Sequence, residues 1–216
     1  MRALASALLV AALLWLSGCR QSQPVHTDWI LRCKLVFLSA DLATERPALP
    51  RAQFRLFFPY IAGDIYGSPT TGDFINPTLD ADYHFAIDLN RSHQALLASL
   101  EPTEFSLSYL RIEPAGARVA RLAPMVLQAD GIEPLGHTDW VDADSKRALL
   151  LLYLDRAATI SGRGSSGAKP LRYSIHTAAA GYVWVGLQSG TDENVYTVTP
   201  APARLLLAVT PPVPGT

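Results

Sequence analysis

The residues that could carry out chemistry are few in this chain, and their spacing presets no site. The histidines are His26, His84, His93, His137 and His176, and they form none of the HxH or HxxxH pairs that often bind a metal. The GxSxG pattern, which places a nucleophilic serine on a sharp turn, is also absent from the sequence. The sequence therefore predicts no metal site, no cofactor and no catalytic residue.

A glycine-rich stretch, Gly162 to Gly167, has the spacing of a GxGxxG nucleotide-binding loop. A dinucleotide site needs a helix directly after the glycines, because the helix N-terminus binds the pyrophosphate. Here Pro170 and a run of residues typical of a β-strand follow instead. Nucleotide binding is therefore not expected, and the glycines are predicted to form a mobile hairpin loop.

Acidic side chains cluster in two segments between apolar runs: Asp64, Asp73, Asp80 and Asp82 in the first, and Asp139, Asp142 and Asp144 in the second. Calcium prefers such oxygen-rich loops. Neither segment has the Asp-x-Asp-x-Asp-Gly spacing of a calcium loop, and Lys146 stands where another oxygen ligand would be needed. These aspartates are therefore predicted to form turns and strand ends.

The stretch from Phe57 to Gly67 is aromatic and rich in turn residues, and a long segment without a clear element follows it. Long irregular loops in compact domains are often functional. Tyr60, Tyr66 and Phe74 could present a rigid apolar surface to a partner, since aromatic residues dominate interface hot spots. The alternative is that they cover the open end of the core.

The elements that must position these residues have the pattern of strands. Tyr83, Phe85, Ile87 and Leu89 alternate with other residue types, which is the period of a half-buried strand. Similar runs recur along the chain between turn residues, and only Ser92 to Leu100 has a helical pattern. We therefore predict an all-β fold, a β-sandwich of immunoglobulin-like type with at most one short helix.

Two of these runs carry a specific expectation. Ala148 to Ile160 is predicted as one strand, and its apolar centre, Leu149 to Leu154, is far too short to cross a membrane. That centre is expected to be a strand in the middle of a sheet, buried on both faces. Pro124 lacks an N–H group, so the run Val119 to Leu127 is placed at a sheet edge or in a loop.

Cys33 is predicted to be a core residue. In the run from Trp29 to Leu38 it falls on the apolar face, while Arg32 and Lys34 fall on the other face. A reactive thiol would need exposure and a nearby cation. The sequence therefore favours a buried thiol over a nucleophile at this position.

The strand region contains an internal repeat. His26 to Ile30 reads HTDWI and recurs as HTDWV at His137 to Val141, and an apolar strand follows each copy. A duplication would divide the region into two related β lobes, about residues 28–115 and 139–211. Superposition would then place Trp29 on Trp140, and both rings are expected to fill the core rather than stack on a sugar.

The chain begins with Arg2, an uncharged apolar run from Ala3 to Leu16, and then Ser17, Gly18 and Cys19. This pattern is typical of a secretory signal peptide, and its apolar run is shorter than the ~20 residues of a membrane-spanning helix. Leu-Ser-Gly-Cys at its end resembles the lipobox of bacterial lipoproteins. The resemblance covers this start of the chain alone and implies cleavage before Cys19, diacylglycerol on its sulfur and acylation of its amine. Residues 1–18 would then be a cleaved signal peptide, 19–27 a lipidated tether and 28–216 the β-sandwich region.

The lipobox resemblance also implies a location. In proteobacterial lipoproteins an Asp after the lipidated Cys favours retention in the inner membrane, whereas Arg20 stands here. This implies the periplasmic face of the outer membrane. Because 18 basic side chains face 19 acidic ones, the charge balance gives no signal of nucleic-acid binding.

These observations lead to two functional hypotheses, with a purely structural spacer as a third alternative. The first is a lipid-anchored envelope protein that binds another protein. It would be an assembly component, or an inhibitor that restrains a toxin or hydrolase as immunity proteins do. The second is a periplasmic hydrolase or carbohydrate-binding protein, with Asp73, Asp82, His84 and the loop from Tyr60 to Tyr66 as its site. An enzyme needs a concave pocket where titratable groups converge, whereas a binding protein needs only an exposed patch.

Overall fold

A computed structural model describes residues 29–39, 44–58, 60–62, 77–89, 110–131, 133–166 and 169–211. Their named elements are one short 3-10 helix, Arg51–Gln53, and otherwise β-strands. The strands are β1 Ile30–Phe37, β2 Phe54–Phe57, β3 Tyr60–Ala62, β4 His84–Asp88, β5 Leu110–Glu113, β6 Val119–Leu122, β7 Met125–Gln128, β8 His137–Asp142, β9 Arg147–Leu154, β10 Ala158–Ser166, β11 Lys169–Thr177, β12 Gly181–Ser189, β13 Asn194–Thr199 and β14 Leu205–Thr210.

Most of these strands form one mixed sheet. Its main path runs β4-β1-β14-β8-β9-β12-β13-β11-β10-β5, while β6 pairs with β9 and β3 pairs with β6. The pairs β1–β14 and β11–β13 are parallel, and the other paired strands are antiparallel. Strands β2 and β7 form a second, small sheet. The predicted all-β fold is confirmed, with a large sheet and a small sheet as in a sandwich.

The small sheet packs against one face of the large sheet. The rings of Phe54 in β2 and Phe37 in β1 are 5.6 Å apart between centroids. Phe58, just after β2, stacks on Trp140 of β8 at 5.6 Å. These side chains belong to one buried cluster, which we call the first core.

Strand β9 is buried on both faces and separates two cores. Leu149 and Leu151 lie in the first core, whereas Leu152 and Leu154 lie in a second core formed largely with β5, β10, β11 and β12. Successive residues of a strand point to opposite faces, so an uninterrupted apolar run can serve both cores. The prediction of a strand buried on both faces is confirmed.

The run predicted as one strand from Ala148 to Ile160 is two strands, which meet at a turn around Asp155. The carboxylate of Asp155 accepts the backbone N–H of Arg118 at 2.8 Å and its Nε–H at 3.0 Å. It also pairs with Arg156 at 3.0 Å. Periodicity does not reveal this turn, because a partner distant in the sequence stabilises it.

The predicted hairpin loop from Gly162 to Gly167 is wrong for its first residues, which lie inside β10. Gly162 is directly opposite Tyr173 of β11. Tyr173 lies in the second core and stacks on Tyr196 at 5.3 Å. Gly162 is therefore a paired residue within a strand and not part of a loop.

Two other predictions concern the limits of elements. Pro124 does interrupt its run, since β6 ends before it and β7 begins after it in a different sheet. The predicted edge position is wrong for β6, which pairs with β9 on one side and with β3 on the other. The predicted helix from Ser92 to Leu100 lies outside the described residues. Within the described ranges, no helix is long and apolar enough to cross a bilayer.

The two tryptophans of the internal repeat pack at the same core. Trp29 precedes β1 and is partly buried against the first core, where Trp140 is 1% exposed. Their strands, β1 and β8, flank β14 on its two sides, one parallel and one antiparallel. Both rings therefore contribute to the core, while the duplication itself stays a prediction.

Candidate functional site

An open groove crosses β4, β1 and β14 on the face opposite the first core, and its volume is about 570 Å³. The lining includes Arg32, Lys34, Asp80, His84, Ala86, Arg204 and Leu206. We call it the β1 groove, after the strand at its centre. Charged side chains that are far apart in the sequence converge here, which makes the groove the candidate functional site.

Strand alternation directs two cations of β1 into the groove. Leu31, Cys33 and Leu35 are buried in the first core, so Arg32 and Lys34 point to the opposite face. Neither cation makes an ion pair or a side-chain hydrogen bond with another described residue. Their Cα atoms are about 6.6–6.8 Å apart, because they are two residues apart on one strand.

One wall of the β1 groove is the turn that leads into β4. The carboxylate of Asp80 accepts the backbone N–H groups of Asp82 at 2.9 Å and of His84 at 2.8 Å. The N–H of Asp80 donates in turn to the carbonyl oxygen of His84 at 2.9 Å. The bond from the His84 backbone holds the pKa of Asp80 below its ordinary value. This carboxylate is therefore already supplied with hydrogen-bond donors.

The opposite wall is formed by the turns before β9 and β14. Nε of Arg204 donates to the carboxylate of Asp144 at 2.9 Å. Asp142 accepts the hydroxyl of Ser145 at 2.6 Å, and this bond lowers the pKa of the Asp142 carboxyl. Lys146 closes the turn with a φ of 57°. These aspartates form a turn, as their residue type predicts.

The floor of the β1 groove is apolar beside each cation. Arg32 is opposite Ala86 of β4, and Lys34 lies between His84 of β4 and Leu206 of β14. Leu206 is half-buried and packs against a small buried cluster on this outer face. A ligand in the groove would therefore meet charge and apolar surface side by side.

Cys33 borders the groove, but its side chain lies in the first core and is 3% exposed. Burial raises the pKa of its thiol far above the ordinary value. A buried, protonated thiol is a poor nucleophile. The prediction of a buried core thiol at this position is confirmed.

Of the three aromatic residues predicted to face a partner, the structure describes only the backbone of Tyr60. Tyr60 begins β3, whose backbone pairs with Leu122 of β6. Tyr66, Phe74 and the predicted lipidation site Cys19 lie outside the described residues. Their roles stay predictions.

The residues of the alternative, enzymatic site are only partly brought together. Asp73 lies outside the described residues, and it is Asp80 rather than Asp82 whose carboxylate lies 3.6 Å from Nδ1 of His84. The side chains of His84 and Asp80 are 55% and 58% exposed. Such an exposed pair lacks the low-dielectric surroundings that catalytic acid–base pairs use.

Sequence reasoning assigned Arg32 and Lys34 to a polar strand face but did not find the groove. The groove exists because β1 pairs in parallel with β14, which brings Arg204 and Leu206 beside β1 from the far end of the chain. No local pattern encodes that pairing. Within the part of the chain described, no group of three or more His, Cys, Asp or Glu residues could bind a metal.

Comparisons with protein-family models, with curated proteins and with solved structures find no match for this chain.

Proposed function

We propose that this chain is a lipid-anchored, periplasm-facing module of a bacterial envelope that works by binding another protein. The observation that carries the proposal is the β1 groove. In it, Arg32 and Lys34 stand without a described partner, between one wall where backbone N–H groups hold Asp80 and another where Asp144 pairs with Arg204. An open groove of this kind suits a protein partner, whereas pockets for small substrates usually enclose their ligand.

The proposed anchor would keep the β1 groove close to a membrane. If Cys19 carries acyl chains, residues 19–27 form the tether, which in an extended polyproline-like conformation spans ~3.1 Å for each residue. Strand β1 begins three residues after Thr27. A short tether raises the effective concentration of partners on the same surface. With Arg20 after the lipidated residue, the proposed surface is the periplasmic side of the outer membrane. The partner is then an envelope assembly, or a toxin or hydrolase that this chain restrains.

The anchor is tested by metabolic labelling with radioactive palmitate in the native cells. The wild-type chain should incorporate the label and fractionate with outer membranes. Cys19→Ser should abolish labelling, because the sulfur that receives diacylglycerol is gone. Equal labelling of the two chains would contradict the proposed anchor.

The binding function is tested by photo-crosslinking in intact envelopes. A photoreactive amino acid replaces Ala86 on the groove floor, or Ala179 in the exposed turn between β11 and β12 as the matched control. We expect a discrete protein adduct from position 86 and not from position 179. No adduct at position 86, or the same adducts at both positions, would refute the proposal.

A further inference from the structure

We infer that the β1 groove binds an extended segment of a partner protein that carries two carboxylates separated by one residue. This inference rests on the proposed function and specifies the chemistry of the partner. It starts from the charge balance of the groove. Asp80 is bonded to backbone N–H groups of its own turn, and Asp144 is paired with Arg204. Asp80 remains an anion in the wall, since backbone N–H groups carry no net charge, and Arg32 and Lys34 are the cations of the groove without an ion-pair partner among the described residues.

The spacing of the two cations sets the spacing of the ligand. Arg32 and Lys34 lie on the same face of β1, two residues apart. An extended peptide also repeats its same-side residues every second position, about 6.6–6.8 Å apart. A segment lying along β1 can therefore place one carboxylate on each cation without a change of backbone geometry. Ion pairs of this kind contribute specificity and association rate in particular.

The layout of the groove favours a peptide over a single phosphate group. Phosphate sites gather several donors around one point. Here the two cations stand one after the other along β1, with Ala86 of β4 beside Arg32, and with His84 of β4 and Leu206 of β14 on the two sides of Lys34. Two cations in a row along a strand suit two acidic side chains of one extended segment. We therefore assign the groove to an acidic extended peptide.

The test uses the full chain in nonionic detergent and fluorescence anisotropy of labelled Thr-rich peptides. The first peptide carries two glutamates separated by one residue, the second has glutamines there, and the third has adjacent glutamates. The separated glutamates should bind at least about tenfold more tightly than either control, because only they project to one side of an extended chain. Added salt should weaken this binding. Equal affinities of the three peptides, or no binding, would overturn the inference.

Variants connect this binding to the groove. Arg32→Gln with Lys34→Gln should lose the preference for the separated glutamates, whereas Arg163→Gln should keep it. Arg163 is an exposed cation on the outer face of β10, outside the groove. Arg32→Glu with Lys34→Glu should instead select a peptide with two lysines separated by one residue. Loss of the preference in Arg163→Gln, or its persistence in the double Gln variant, would contradict the assignment.

An anionic lipid headgroup is the alternative ligand to an acidic peptide. It is tested with a short-chain phosphatidylglycerol below its critical micelle concentration. If this lipid binds through Arg32 and Lys34 and the peptides do not, the assignment to an acidic peptide is wrong. The crosslinking at position 86 separates the two proposals. An adduct at position 86 together with peptides that do not bind overturns this inference alone, whereas the absence of that adduct overturns the proposed function.

Discussion

One half of the large sheet packs over the first core and the other half over the second core. The charged side chains on the outer faces of these two halves are arranged differently. Around the second core, Arg172 of β11 donates to Glu193 at 2.8 Å, so its charge is balanced within the chain. Around the β1 groove, Arg32 and Lys34 have no such neighbour among the described residues. A cation that is paired within the chain, such as Arg172, needs no ligand, whereas Arg32 and Lys34 retain their charge for one.

Arg163 sharpens this comparison. It lies directly opposite Arg172 in the β10–β11 pair and is exposed, and it is not among the residues that line the β1 groove. Like charges directly opposite each other are mildly unfavourable, and Glu193 relieves the contact by pairing with Arg172. An exposed cation alone therefore does not mark a site. The combination of cations, walls and apolar floor distinguishes the groove.

The largest expected effect concerns how the two halves are joined. Leu151 and Leu152 are adjacent in β9 and fully buried, one in each core. Leu151→Ala and Leu152→Ala should each lower the free energy of unfolding by about 2–5 kcal/mol through lost burial and a residual cavity. If the halves fold as one unit, calorimetry will show a single transition for both variants. A separate, early transition in Leu152→Ala alone would show that the second half unfolds independently.

A smaller effect is expected at the turn that links the halves. The Asp155 side chain is 5% exposed and binds both Arg118 and Arg156. Asp155→Asn should lower the free energy of unfolding by about 2 kcal/mol, since bonds to charged groups are lost. Asp144→Asn is the matched control, because its ion pair with Arg204 is exposed and should contribute much less. Equal losses in urea titrations of the two variants would contradict this difference.

The carboxylate of Asp155 also makes the free energy of unfolding depend on pH, and the direction follows from its lowered pKa. Burial by itself raises the pKa of Asp155, but the bonds from Arg156 and Arg118 outweigh burial and lower it overall. The stabilisation is therefore complete above the unfolded-state pKa of about 3.9 and is lost as the pH falls through the lower folded-state pKa. Unfolding curves of wild type and Asp155→Asn should converge in acid. A gap that widens in acid would contradict this assignment.

A third effect has the opposite sign and lies on the outer face of β8. The hydrogen bond to Asp139, at 3.1 Å, raises the pKa of His137. Its stabilisation is therefore complete below the unfolded-state pKa of about 6.5 and is lost as the pH rises through the raised folded-state pKa. His137→Gln should lower the free energy of unfolding by on the order of 0.5 kcal/mol in mild acid and not in mild alkali, because the His137 ring is largely exposed and solvent screens the pair. Thermal melts in mild acid and in mild alkali measure this difference in stability. Asp139→Asn removes the same hydrogen bond and should therefore show the same pH dependence.

The sequence predicted the fold better than the site, for a physical reason. Alternation along β1 and the uninterrupted apolar run of β9 report burial directly, so the buried Cys33 and the central strand could be predicted. The turn at Asp155 depends on Arg118, and the groove depends on β14 lying beside β1, and neither contact leaves a local pattern. Period-two patterns fix which face a residue occupies, but they do not fix which strand lies next to it.

The smallest expected effect on stability concerns Arg32 and Lys34. It connects the difference between the two sheet faces to function. Arg32→Gln with Lys34→Gln should change the free energy of unfolding by no more than about 0.5 kcal/mol, as surface substitutions without structural partners usually do. Urea titration beside wild type measures this, with Asp155→Asn as the destabilised reference. Near-zero cost together with lost selection of the acidic peptide means that these cations serve binding and not folding. A loss as large as that of Asp155→Asn would instead make them structural residues, and the contrast between the two sheet faces would no longer point to a site.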